Sequence, residues 1–173
     1  MKLTRVFGVV AAGVLLQVAL ARFAIGGRFA FDFVMVGVVF AAVESGAVGG
    51  MLAGTLGGLL QDIFSGGTVG VSGLVNTIVG YLTGSFGTRF VVAKAHARAL
   101  IVAAATPVHY LMVVGLRGVI AQSWPVIVWT AMLEAVVINA VVGWIAFYLT
   151  ESVPGAMARG RSRRRPSLSR RQW

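Results

Sequence analysis

Apolar residues run through this chain in long, nearly unbroken stretches, and polar residues are few and widely spaced. The apolar runs cover about 6–25, 29–45, 46–64, 70–92, 99–118 and 124–150. None shows the apolar–polar alternation of a half-buried strand. Most are close to the ~20 residues that a helix needs to cross a bilayer core, the second being short. In lipid, a helix satisfies every backbone polar group within its own segment. The pattern therefore predicts an all-α integral membrane protein of about six transmembrane helices, forming one domain over 1–153.

The first run could be read as a signal peptide. Lys2 and Arg5 precede it, and Ala19-Leu20-Ala21 resembles a cleavage site. The apolar run continues to Ile25, however, and an uncleaved first span is the better reading.

Composition supports the membrane class. Of 173 residues, 58% are hydrophobic and 12% are charged. A soluble exterior could not cover so much apolar surface. Cysteine is absent, which removes disulfides and thiolate metal sites. His96 and His109 are far apart with no ligand partner at helical spacing. No cofactor and no catalytic constellation are expected, so the chain reads as a non-enzyme.

The net charge of +10 is concentrated rather than spread. Arg159, Arg161, Arg163, Arg164, Arg165, Arg170 and Arg171 all lie in the tail 154–173, which is polar and proline-broken and is expected to be disordered. With six spans, Lys2, Arg5, Arg89, Lys94, Arg98 and this tail share one side of the membrane. Arg22, Arg28 and Arg117 lie on the other. That bias predicts cytoplasmic termini in a multi-pass inner-membrane protein. The tail also suits anionic lipid headgroups, at ~1 kcal/mol per basic residue near the surface. Nucleic acid is a poor partner, because Trp173 is the one aromatic that accompanies these arginines.

Thirteen of the 23 glycines fall between positions 46 and 87. Gly46, Gly50, Gly54 and Gly58 recur every fourth residue, and Asp62 follows in register. On a helix this is a narrow stripe against which another backbone can pack closely. Both a neighbouring span and a second protein would fit it. Asn76, Gly80 and Gly84 repeat the idea in the next span. Between the two stripes, SGGTVGVSG with Gly66, Gly67 and Gly70 predicts a break in the helix. Asp62 would pin that turn by accepting hinge amides such as those around Ser65–Thr68, or would offer a polar contact to a partner. Asp32 and Glu44 sit at the ends of the second run, where interfacial solvation suffices. Gln17 suits a helix–helix hydrogen bond. Glu134 lies about ten residues into the sixth run, where a carboxyl costs ~3 kcal/mol unless paired or neutral. It is the candidate for a buried functional polar site.

Residues Gly50, Gly54, Gly58, Leu59, Leu60, Asp62, Phe64, Ser65, Gly66, Gly67 and Gly70, followed by Gly73, Leu74, Val75, Asn76, Gly80, Tyr81, Leu82 and Gly84, resemble the glycine-rich hairpin of the bacterial rod shape-determining MreD family. The resemblance implies a non-enzymatic membrane scaffold of cell elongation. Its partners would be an MreC-like single-span protein, RodA and a penicillin-binding protein in peptidoglycan synthesis, and indirectly the MreB cytoskeleton. It also implies a fold like the substrate-binding subunits of energy-coupling-factor transporters. The alternative function is therefore a vitamin-binding subunit of such a transporter. The arginine tail is a departure from the family core.

Overall fold

The computed structural model describes residues 3–20, 32–66, 68–89 and 95–162, with side chains for 8, 10–19, 32–66, 68–87 and 95–150. Five helices follow one another: α1 (Leu3–Leu20), α2 (Phe33–Ser65), α3 (Val71–Arg89), α4 (Ala95–Ala121) and α5 (Trp129–Ser162). No strand occurs among the described residues. Among the described residues, three helical stretches are long and apolar enough to cross a membrane, namely Phe33–Ser65, Ala95–Ala121 and Trp129–Thr150.

Helix α2 is one hydrogen-bonded run but not one rod. Gly46 breaks it with φ 78° and ψ −171°, a conformation essentially closed to residues with a Cβ. In a straight helix Asp32 and Gln61 would lie ~43 Å apart, at 1.5 Å per residue. Instead their side chains meet at 3.3 Å. The arms 33–45 and 47–65 therefore fold back on each other as an antiparallel hairpin. The boundary expected between the second and third runs, at 45/46, coincides with this turn. Counted as rods, the described chain has six helical segments.

The first arm of α2 is the axis of the bundle. Every residue from Val34 to Ala42 is buried. Val34, Val38 and Ala41 pack with Val10 and Val14 of α1 and with Ala53 of the second arm. Met35, Val36, Val39 and Phe40 face a second cluster with Val75 and Val79 of α3, Val102 of α4 and Phe147 of α5. A helix surrounded in this way is apolar all round, and this explains why its sequence shows no amphipathic stripe.

The second arm packs antiparallel on α3 at backbone distance. A Cβ placed on Gly50 would strike the Gly80 carbonyl, one on Gly54 the Asn76 carbonyl, and one on Gly58 the Ser72 carbonyl. A Cβ on Gly84 would meet the backbone of Gly46 and Ala47. The four pairs keep a constant register, so the stripe at every fourth residue seats on a backbone of this same chain. Helices α4 and α5 form the other wall, with Gly143 of α5 receiving the Val102 side chain.

The polar ends of the bundle differ. At the Gly46 end, Arg98 pairs with Glu44 at 3.2 Å. The Arg98 guanidinium also lies 5.3 Å from the centroid of the Phe147 ring, which in turn stacks on Phe40 at 5.0 Å. Glu44 is thus held by a cation rather than only by interfacial water. Beyond Thr150, α5 runs on through Ser162. The backbone of 154–162, the first part of the tail, runs as a continuation of this helix. Arg159 and Arg161 lie on that extension. Arg163, Arg164, Arg165, Arg170 and Arg171 lie outside the described residues.

Candidate functional site

The opposite end of the bundle gathers the polar side chains. Asp32 caps the N-terminus of α2, its Oδ1 accepting the Met35 amide at 2.9 Å. Its own amide donates to Asn139 Oδ1 on α5 at 3.0 Å. Gln17 of α1 accepts the Phe33 amide at 2.8 Å. Two of the amides left unbonded at a helix start are thereby taken up by neighbouring helices. Gln61 donates to Asp32 Oδ2, and its Oε1 accepts from Asn76 Nδ2 on α3 at 3.2 Å. His109 of α4 brings Nε2 to 3.6 Å from Asp32 Oδ2. All five helices thus send a side chain to the start of α2.

Asp62 stands one residue beyond Gln61 and faces the other way, into α3. It is 2% exposed. Its carboxylate accepts the amides of Gly70 at 2.8 Å, Ser72 at 3.0 and 3.2 Å, and Gly73 at 3.3 Å. These amides belong to the glycine-rich hinge expected to bind it, at its α3 end rather than around Ser65 and Thr68. The first turn of α3 supplies unbonded N–H groups converging on one point, with the positive end of the helix dipole behind them. Gly66 and Gly70 have φ of +65° and +100°, and a Cβ on either would meet nothing within 4 Å. They serve the turn by backbone conformation, as a break between the two helices requires. Gly67 lies outside the described residues.

Glu134 differs from expectation as well. It is exposed, not buried. Helix α5 starts at Trp129, so Glu134 is only about one and a half turns inside it. Asn139, one and a half turns deeper, is the buried residue at 2% exposure.

Above Asp32 lies a cavity of about 670 Å³, and its lining includes Gln17, Asp32, Gln61, His109, Arg117 and Glu134 among mostly apolar neighbours. Its origin is geometric. The first arm of α2 is 13 residues long, or ~20 Å, while α4 at 27 residues is ~40 Å. The short central helix leaves space above its capped start. His109 Nε2 is buried there without a hydrogen-bond partner. Among the described residues no group of histidines and carboxylates could hold a metal ion.

The family model described as rod shape-determining protein MreD matches residues 3–152. The chain belongs to the MreD family. The match ends short of the arginine tail of this MreD-family member. No curated protein and no solved structure matches the chain. As a family member with three long apolar helices it is a membrane protein with a part in rod-shape determination.

Sequence reasoning brought Asp62, Asn76 and the two glycine stripes together in one hairpin. It missed the cluster around Asp32. The signal available was the set of uncharged amides, Gln17, Gln61, Asn76 and Asn139, each within an apolar run. Such residues seek one another in lipid, but their partners belong to different helices.

Proposed function

We propose that this protein is a non-enzymatic scaffold of the elongation complex in the bacterial cytoplasmic membrane. It would cross the membrane six times with both termini inside. It docks an MreC-like single-span protein and so links the MreB cytoskeleton to peptidoglycan synthesis by RodA and a penicillin-binding protein. The family match carries the rod-shape role. The unequal burial of the helices supports docking. The spanning window of α2 is 56% buried, whereas those of α4 and α5 are 17% buried each. The α4–α5 pair therefore offers broad apolar faces, including Leu111, Leu133, Val137 and Val141, to lipid or to another helix. The α2–α3 stripe, being filled from within, is not the docking face.

Photocrosslinking residues placed at Leu111, Leu133 and Val137 in growing cells test this. A single-span protein trapped at one or more of these positions is expected, and none from Val38. Crosslinks to lipid alone at all three would overturn docking on this pair. The six-span topology is tested separately. The chain has no cysteine, so Thr68→Cys and Ser45→Cys report cleanly with a membrane-impermeant thiol reagent. Thr68→Cys should label in intact cells and Ser45→Cys only after permeabilisation.

A further inference from the structure

Besides Tyr110, the cavity above Asp32 holds four ionisable groups from three helices: Asp32 on α2, His109 and Arg117 on α4, and Glu134 on α5. Asp32 and His109 approach one another at 3.6 Å. Among the described residues, Arg117 and Glu134 make neither an ion pair nor a hydrogen bond. Unpaired charges beside apolar walls are costly in a membrane protein and mark ligand or ion contacts. Asp32 is at the floor, beside Gln61 and Asn139. Arg117 is eight residues beyond His109 on α4, ~12 Å toward the mouth, where Pro125 and Val126 also line the wall.

Size selects the class of occupant. A spanning helix ~30 Å long and ~10 Å wide fills on the order of 2,400 Å³. The cavity, at about 670 Å³, is too small for that and falls within the ~300–1,000 Å³ of small-ligand sites. The lining also suits a bilayer molecule. Among the described residues, α1 packs on α2 and on neither α4 nor α5, and Val14, Gln17 and Val18 of α1 line the cavity together with Ala131, Glu134 and Ala135 of α5. Acyl chains can lie along Val14, Val18, Val113 and Val114 of that lining.

We infer that this cavity binds the ammonium–phosphate zwitterion of an aminophospholipid headgroup, with the ammonium toward Glu134 and Asp32 and the phosphate toward Arg117. Its occupant would reinforce the walls between α1 and the α4–α5 pair without touching the docking faces proposed above. Free phosphoethanolamine has the same chemistry and is the second source to be distinguished.

The test is native mass spectrometry of the full chain in detergent, titrated with phosphatidylethanolamine or phosphatidylglycerol of matched chains. Phosphatidylethanolamine should reach half-occupancy at a concentration at least tenfold lower. Glu134→Gln and Arg117→Gln, at exposed positions that leave the fold intact, should each weaken it about fivefold or more. Asp32→Asn should do the same while keeping the helix cap, and Glu44→Gln at the far end should change nothing. Equal binding of the two lipids, or undiminished binding by all three cavity variants, would overturn the assignment. Competition by free phosphoethanolamine at comparable concentration supports the site with a soluble ligand. Its failure to compete supports the lipid. The readout is independent of cell shape and of crosslinking to a protein partner.

Discussion

Asp62 accepts the Ser72 amide with both carboxylate oxygens, at 3.2 and 3.0 Å. The same carboxylate takes the Gly70 and Gly73 amides. It is thus the cap of α3 and the tie that fixes the hairpin between α2 and α3. Asp62→Ala would leave these buried donors unsatisfied, at about 1–3 kcal/mol each before relaxation. A net loss of about 3 kcal/mol is expected, seen as a lower midpoint in thermal unfolding in detergent. Asp62→Asn keeps one acceptor oxygen and should fall between. Asp32→Ala should cost less, because that carboxylate accepts one backbone amide and one long Gln61 bond. Equal losses for Asp62→Ala and Asp32→Ala would refute this ranking.

The glycine stripe makes a sharper contrast. Gly54→Ala would drive a methyl group into the Asn76 carbonyl. Overpacking of this kind costs about 1–3 kcal/mol where neighbours can shift, and here the neighbour is backbone. Gly115→Ala on α4 meets nothing within 4 Å and should be neutral or stabilising by up to ~1 kcal/mol through helix propensity. Unfolding midpoints of the two variants in one detergent check the difference. In cells, loss of protein or rounding is expected for Gly54→Leu and normal rods for Gly115→Ala.

Gly46 should tolerate no side chain. Its φ of 78° with ψ of −171° costs other residues on the order of 1–3 kcal/mol, and it also touches the close approach of Gly84. Gly46→Ala should lower the unfolding midpoint more than Gly8→Ala, whose Cβ would meet open space. A midpoint unchanged in Gly46→Ala would mean that the turn is not strained.

Arg98 joins an ion pair to a ring contact. The pair with Glu44 is partly solvated, with side chains 18% and 30% exposed, so by itself it contributes at most ~1 kcal/mol. The contact over Phe147 adds ~0.5–1 kcal/mol. Arg98→Ala should therefore destabilise more than Glu44→Gln. Arg98→Lys should fall between, since Lys keeps the charge but loses the planar stacking of the guanidinium. A double-mutant cycle on Glu44 and Arg98 should give a coupling below ~1 kcal/mol.

The sequence by itself determined the class of the protein and its α2–α3 hairpin. Long apolar runs admit only helices in lipid. Glycines four residues apart followed by Asp62 fix one helix face, because helical periodicity is local. Each of these facts is written within a few turns of chain. The tertiary structure decided which backbone fills the stripe, which amides hold Asp62, and that Glu134 is exposed while Asn139 is buried. It also decided that the weakest run becomes the central helix, and that its shortness opens a cavity over Asp32. Those outcomes depend on where separate helices stop relative to one another. Asp32 and Asn139 are 107 residues apart in sequence and hydrogen-bonded in space, and no local pattern encodes that distance.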